Sequence, residues 1–314
     1  MEAPTKPAVS IVLVSDYGAG EQGSFDDLHT ALDRLDRQDF QGRVERMLVE
    51  SSRFREATEK ELATRDANLH IVYSDVEDSF ALKNVGAEQA SADIIVFLDM
   101  DCVPQQDWLR HLVEAFDRHP NAAVVNGRTT YGEGSVTKRS LALLSRAYVD
   151  RGSAGLTRHI SNNNAAFRRD WVLKHPFPSG ANPFLSGLHA GAILHDGGEM
   201  WFEPNARVVH AFHGWDMERD VSRNAGWSTV TLRKAPSHAR MAWLVRLGVL
   251  SIPIFWSVCV ARSTSRVLRL WRCFDLKVYE IPIALSLAVT TATLQIPGMW
   301  AAFRGEVIGE TAYR

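Results

Sequence analysis

The chain has 314 residues, of which 46% are apolar and 23% are charged, and this composition excludes a disordered protein. Its formal net charge of -2 provides no global basic field, so no nucleic-acid partner is expected. The three cysteines, Cys102, Cys259 and Cys273, are scattered and odd in number, which favours a reducing, cytosol-facing compartment over a disulfide framework or a structural zinc site. Residues 1–10 lack the features of a signal peptide, so the first domain is not expected to be secreted.

Strand-like and helical patterns alternate from Val9 to about Asn126 and predict an α/β domain, with a mainly parallel sheet covered by helices on both faces. Apolar residues at helical spacing predict one helix after Ser24 and another that follows Pro104. A further helix is predicted over Arg139–Tyr148, among loops expected to bind substrate. The predicted strands are Val9–Val14, Val44–Val49, Leu69–Tyr73, Ile94–Leu98 and Ala122–Val125.

The densest chemical signal is the segment ADIIVFLDMDCVP, in which a run of apolar residues ends at Leu98 and is followed by Asp99 and Asp101. Ligands of open α/β sheets collect at the carboxyl ends of the strands, which is where these two carboxylates are expected. Carboxylates at alternate positions can hold Mg²⁺ or Mn²⁺, which would neutralise a diphosphate. The alternative interpretation is a polar loop that merely follows a strand.

Several separated motifs share one order along the chain. VSIVLVSDYG is followed by MLVESS, by Lys83 and Asn84 in a predicted helix, by FLDMDCVP, by SNNNAAFRRD and by GGEMWFEPNARVVHA. In this order they resemble glycosyltransferase family 2, whose members use sugar nucleotides and have the GT-A fold. The resemblance extends from Val9 to His210 and implies a GT-A-like α/β domain.

The resemblance also implies roles for individual residues. Asp101 would hold the metal ion and take part in catalysis, Asp99 would contact the ribose or the metal, and His210 would be a further metal or phosphate contact. Each of these residues has a structural alternative, and His213 competes with His210 for the same role. The implied donor-binding residues are Ser15, Asp16, Glu50, Lys83, Asn84, Asp99 and Asn164.

One expected element is missing. Inverting members of the family carry a Glu-Asp pair about a dozen residues before a glycine, and its Asp is the general base. Counting back from Gly198 gives Ser186 and Gly187, so neither carboxylate is present. His189 is the nearest candidate for the base that the acceptor hydroxyl needs, although a histidine on an apolar helix is often structural. The other candidates in this segment are His195, Asp196 and Glu199.

Two apolar stretches, Ala242–Ala261 and Ile281–Phe303, are each long enough to cross a bilayer, which takes roughly 20 residues. The basic, aromatic segment between them suits the headgroup plane of a cytosolic leaflet. If both stretches crossed the membrane, the basic segment would lie on the side opposite the catalytic domain, against the positive-inside tendency. One of the two stretches is therefore expected to be re-entrant or interfacial, and Arg246 makes the first stretch the candidate. Buried helices or a dimerisation hairpin are the alternatives.

The sequence therefore predicts a GT-A-like catalytic domain over residues 1–238 and a tail of membrane-associating helices over residues 239–314. The expected activity is that of a glycosyltransferase, of the hexosyltransferase class. It would transfer a sugar from a nucleoside-diphosphate sugar to a hydroxyl of a glycan or a lipid-linked acceptor. The enzyme would be associated with a membrane, with the catalytic domain facing the cytoplasm. The alternatives are a catalytically impaired nucleotide-sugar-binding scaffold and a nucleotidyltransferase, although the latter would need a basic residue that YGAGEQGSF lacks.

Overall fold

The computed structural model describes residues 6–14, 24–63, 65, 68–179, 183–235 and 240–308. These residues form two compact units. The first consists of Met1–Arg128 and Ser153–Ala211, and the second of Thr129–Gly152 and Phe212–Thr311. The domain boundary expected at residue 238 falls outside the described residues and stays a prediction.

The described residues contain nine strands and eleven α-helices. The strands are β1 Val9–Val14, β2 Val44–Ser51, β3 Leu69–Ser74, β4 Ile94–Asp99, β5 Cys102–Pro104, β6 Ala122–Thr130, β7 Gly155–Leu156, β8 Asn164–Arg168 and β9 Glu199–His210. The helices are α1 Ser24–Leu35, α2 Arg55–Leu62, α3 Ser79–Gln89, α4 Trp108–Arg118, α5 Val136–Ser145, α6 Arg169–Lys174, α7 Ser186–His195, α8 Trp215–Lys234, α9 Ile252–Leu270, α10 Ile281–Leu294 and α11 Ile296–Arg304.

The strands form one sheet in the order β3-β2-β1-β4-β8-β6-β9-β5, and β7 pairs with β9. Strands β1 to β4 are parallel, as the βαβ pattern predicts. The later pairs β4–β8, β6–β8, β5–β9 and β7–β9 are antiparallel, so only half of the sheet has the expected direction. The mixed α/β sheet with flanking helices confirms the predicted fold class.

Helices cover both faces of the sheet in the first unit. On one face, α1 and α4 pack against the strands through residues such as Leu28 and Leu112. On the other face, α3, α6 and α7 pack through residues such as Phe80 and Ile193. The apolar spacing that predicted α1 and α4 therefore identifies their buried faces. Pro104, expected at the entry of α4, lies instead in β5, and the helix begins at Trp108.

The second unit is helical. Helix α5 packs with α9 and α10 in one apolar cluster, and α8, α9, α10 and α11 share another. Helix α5 covers much of the predicted Arg139–Tyr148 helix but begins at Val136. Helices α8 and α11 approach so closely that a Cβ on Gly298 would lie 1.8 Å from the carbonyl oxygen of Arg223. Only glycine allows this contact without displacing a backbone.

Two helical stretches of the second unit, Ala242–Phe274 and Val278–Arg304, are long and apolar enough to cross a membrane by length and composition. In each, only 28% of the most apolar window is buried inside the protein, which is low for the core helices of a soluble domain. Neither is one continuous α-helix: Gly248, with a φ of 56°, interrupts the first, and Gln295 separates α10 from α11 in the second.

Candidate active site

Three parallel strands of the first unit end at the same level. Val14, the last residue of β1, is in register with Val49 on one neighbour and with Asp99 on the other. Glu50 follows Val49 directly, so the carboxylates of β2 and β4 flank the end of β1. Side chains at this edge are available to a ligand that lies across the carboxyl ends of the strands.

Asp99 forms a buried ion pair with Lys83. Its Oδ1 lies 2.7 Å from Lys83 Nζ, and the side chains are 4% and 1% exposed. Lys83 Nζ also donates a hydrogen bond of 2.9 Å to the carbonyl oxygen of Asn162. Asp78 caps α3 by accepting from the backbone N–H of Phe80, which fixes the start of the helix that carries Lys83. The lysine therefore offsets most of the negative charge of Asp99.

Asp101 faces His210 across the junction of β5 and β9. Cys102 is the cross-strand partner of His210, and the backbone N–H of Ala211 donates to the carbonyl oxygen of Asp101 at 2.8 Å. These contacts bring Asp101 Oδ2 to 3.3 Å from His210 Nε2, with side chains that are 6% and 1% exposed. His210 Nδ1 lies 2.7 Å from the carbonyl oxygen of Ala211.

The chemistry of this pair fits a divalent cation. A carbonyl oxygen only accepts hydrogen bonds, so His210 Nδ1 carries a proton and donates it to Ala211. Nε2, the other ring nitrogen, faces Asp101, so a cation that replaced any proton on Nε2 would be held by both side chains. The oxygen and nitrogen donors that the sequence predicted are thus brought together at Asp101 and His210. Asp99, also predicted as a metal ligand, is paired with Lys83.

Comparison with known proteins relates part of the chain to a known family. The model of glycosyl transferase family 2 matches residues 26–175, which include Lys83, Asp99 and Asp101. This part of the chain is similar to glycosyltransferase family 2. Glycosyltransferase AglE of Haloferax volcanii is 27% identical over 139 residues, which are 43% of this chain and 43% of that protein. The match therefore spans less than half the length of this relative, and His189 and His210 lie beyond the residues that the family model covers.

The residues predicted to bind the nucleoside are described in part. Glu50 is 1% exposed, and its Oε1 accepts a hydrogen bond of 2.7 Å from the backbone N–H of Ser51. This bond fixes the carboxylate at the end of β2, where a donor base or ribose is expected. Ser15 and Asp16 lie outside the described residues, so their predicted contacts with the nucleoside stay predictions.

Two asparagines of the predicted donor site are committed to protein contacts. Asn84 Nδ2 donates to the carbonyl oxygen of Phe177 at 2.8 Å, and its Oδ1 accepts from the N–H of the same residue at 2.8 Å. Asn164 is fully buried, accepts from Trp108 Nε1 at 2.8 Å and donates to the carbonyl oxygens of Arg128 and Ala206 at 3.1 and 3.2 Å. These contacts favour structural roles over sugar binding.

His189 lies on the buried face of α7 rather than in an open site. Its ring stacks against Phe167 and packs on the edge of Phe177, with centroid distances of 5.7 and 4.6 Å. Nε2 donates to the carbonyl oxygen of His175 at 2.6 Å. Burial lowers the pKa of His189 to about 4. A neutral, enclosed imidazole that is already hydrogen-bonded favours a structural role, and its predicted role as the base stays a prediction.

The alternative bases of the same segment lie on the surface. Asp196 is hydrogen-bonded by Lys174, which lowers the pKa of the carboxyl, so it is a weak base at neutral pH. His195 contacts the same carboxylate at 3.3 Å, and Glu199 is exposed at the start of β9. The contacts of this segment therefore do not single out a base, and the identity of the base stays a prediction.

One residue near the site was not predicted. Cys102 is fully buried, and its thiol lies 3.7 Å from Asp101 Oδ1. Asp101, Cys102 and His210 each offer a ligand atom, and these atoms lie within 4.8 Å of one another. Its position directly after Asp101 is a signal in the sequence, although three scattered cysteines do not by themselves indicate a metal ligand.

Proposed function

We propose that this protein is a metal-dependent glycosyltransferase that moves a sugar from a nucleoside-diphosphate sugar to an acceptor hydroxyl. The observation that carries the proposal is the contact between Asp101 and His210 at the carboxyl edge of the sheet, in a chain whose residues 26–175 match glycosyl transferase family 2. A carboxylate and an imidazole that converge in a buried position are suited to hold Mg²⁺ or Mn²⁺ beside a diphosphate. When bound, such an ion supplies positive charge that stabilises the leaving diphosphate.

The side chains at the ends of β2 and β4 are proposed to bind the donor. Glu50, fixed by the N–H of Ser51, would accept hydrogen bonds from the nucleoside. Asp99 would contact the ribose or the metal ion, and Lys83 would hold its carboxylate in place through their 2.7 Å ion pair. Because Lys83 already compensates Asp99, we expect Asp101 to contribute more of the charge that balances a cation.

The acceptor is proposed to be a glycan or a lipid-linked molecule at a membrane surface. The support is the pair of apolar helical stretches in the second unit, because most of the most apolar window of each is not buried by the rest of the protein. The first stretch contains five arginines and no carboxylate between Ala242 and Phe274, a composition that suits an anionic, cytosol-facing leaflet. The catalytic domain would then face the cytoplasm.

A second candidate function is a nucleotide-sugar-binding scaffold with impaired catalysis. It is favoured by the residues at the expected position of the general base, where α7 begins with Ser186 and Gly187. An acceptor hydroxyl must lose its proton as it attacks, and neither residue can take that proton. The two functions differ in turnover rather than in donor binding.

Turnover of nucleotide sugars by the full-length protein separates the two functions. With Mn²⁺ present, we expect release of nucleoside diphosphate, and Asp101→Asn should lower the rate about 10²- to 10³-fold, since it removes electrostatic stabilisation of the leaving group. Asp107→Asn is the matched control, because Asp107 is a half-buried aspartate that pairs with His111 rather than with His210. Donor binding without turnover, unchanged in Asp101→Asn, would support the scaffold and contradict the enzyme.

A further inference from the structure

Cys102 lies at the border between the apolar core of the first unit and the candidate metal site. It is the first residue of β5, it is in register with His210 on β9, and it directly follows Asp101. Its side chain is fully buried, and its Sγ lies 3.7 Å from Asp101 Oδ1. A thiol, a carboxylate and an imidazole thus converge on one point of the first unit.

The separations between these donors can be compared with those around a single ion. Metal bonds of about 2.1 Å to oxygen or nitrogen and about 2.3 Å to sulfur, at tetrahedral angles, place ligand atoms about 3.4 to 3.6 Å apart. Asp101 Oδ2 is 3.3 Å from His210 Nε2, and the other oxygen of the same carboxylate, Oδ1, is 3.7 Å from Cys102 Sγ. One ligand atom from each of the three residues lies within 4.8 Å of the others, so small side-chain adjustments would bring them around one ion. Three side-chain ligands also leave a position open, as in catalytic zinc sites.

The orientation of His210 supports the same interpretation. The hydrogen bond from Nδ1 to the carbonyl oxygen of Ala211 holds the ring with Nε2 toward the cluster. Metal-bound histidines characteristically donate their second ring N–H to a carbonyl or carboxylate in this way.

We propose that Cys102 is a third protein ligand of the metal ion, together with Asp101 and His210, and that the site therefore prefers thiophilic ions such as Zn²⁺ and Co²⁺ over Mg²⁺. The inference rests on the proposed metal dependence and specifies the class of ion. As the sulfur–metal bond forms, the S–H bond breaks and the proton passes to solvent. A soft thiolate ligand disfavours Mg²⁺, which takes oxygen donors and keeps several waters.

Absorption spectroscopy of the Co²⁺-loaded, full-length protein tests this ligand directly. A cysteine thiolate bound to Co²⁺ gives a sulfur-to-cobalt charge-transfer band in the near ultraviolet, so we expect the band in the wild type. Cys102→Ser should abolish it and weaken Co²⁺ binding about tenfold or more, since even the loss of an outer-shell partner costs that much. The affinity for Mg²⁺ should change little. Cys259→Ser is the matched control, because Cys259 is also buried but lies outside the cluster.

The outcomes separate this inference from the proposed function. Co²⁺ binding that requires Asp101 and His210 but gives no charge-transfer band in the wild type would overturn the role of Cys102 and leave the metal-dependent enzyme intact. The wild-type spectrum decides this even if Cys102→Ser fails to fold. If neither Co²⁺ nor Mn²⁺ binds to the wild type, the proposed metal site is overturned as well.

Discussion

Replacing His189 with leucine should make the protein less sensitive to mild acid. The imidazole is enclosed by Phe167 and Phe177, and burial lowers its pKa from the usual 6.5 to about 4. Leucine fills a similar apolar space and cannot be protonated. The variant loses the hydrogen bond to the carbonyl oxygen of His175, so we expect it to be less stable than the wild type at neutral pH, by about 1 kcal/mol.

The size of the pH effect follows from the two pKa values of His189. Between pH 6.5 and pH 4 the unfolded chain binds a proton at this residue and the folded protein does not, so acid favours unfolding. The stabilisation is present above the unfolded pKa and is lost as the pH falls. With a folded pKa of about 4, the free energy of unfolding should fall by about 2 kcal/mol between about pH 7.5 and about pH 5. Most carboxylates remain ionised over this range.

Urea unfolding of the wild type and His189→Leu at both pH values, followed by tryptophan fluorescence, measures this effect. All other ionisable groups are the same in both proteins, so their contributions should largely cancel in the difference between the two pH dependences. Equal pH dependence in the wild type and the variant would refute the assignment of His189 as a buried neutral residue. Sugar transfer at neutral pH should survive the substitution, whereas its loss in a folded variant would support His189 as the base.

The remaining predictions concern close packing and buried charge. Gly298→Ala should lower the free energy of unfolding by about 1–3 kcal/mol, and with it the melting temperature, because the new Cβ would meet the carbonyl oxygen of Arg223. Gly191→Ala is the control, because there is open space around its Cβ, and it should be neutral or stabilise α7. Equal effects of the two substitutions on the melting temperature would contradict this packing argument. Lys83→Met should destabilise the protein by about 3–5 kcal/mol because it leaves Asp99 buried without its cation. Adding Asp99→Asn should recover part of that loss in urea unfolding, and additive losses would show that the ion pair is not the cause.

The parallel half of the fold could be predicted from the sequence because its signals are local. The run Val9–Val14 is buried along its whole length, and its observed limits equal the predicted ones. The antiparallel half could not be predicted in this way. The apolar segment Ala122–Val125 predicted β6, whereas β8 was not among the predicted strands, and the direction of both depends on pairings between distant segments. The short strand β5 lies in the segment that was expected to lead into α4.

The sequence predicts candidate site residues where polar side chains directly follow an apolar strand. Asp99 and Asp101 follow an apolar run, and Lys83 reaches Asp99 as its place in the predicted helix implied. The side-chain amides of Asn84 and Asn164 satisfy backbone groups instead, and a sequence does not show which donors and acceptors a fold leaves unpaired. The partnership of Cys102 with His210 required the register of β5 and β9.

Helix α5 is encoded between two strands of the first unit, yet its apolar face belongs to the core of the second. Leu141 and Leu143 cluster there with Val267 and Ala284. A protein truncated near residue 238 would therefore expose the apolar face of α5, which lies in the middle of the remaining chain. We expect the truncated protein to aggregate rather than to remain soluble. For the same reason, replacing the C-terminal segment alone would not transfer the helical unit from one protein to another. An internal segment and the C-terminal segment would have to change together.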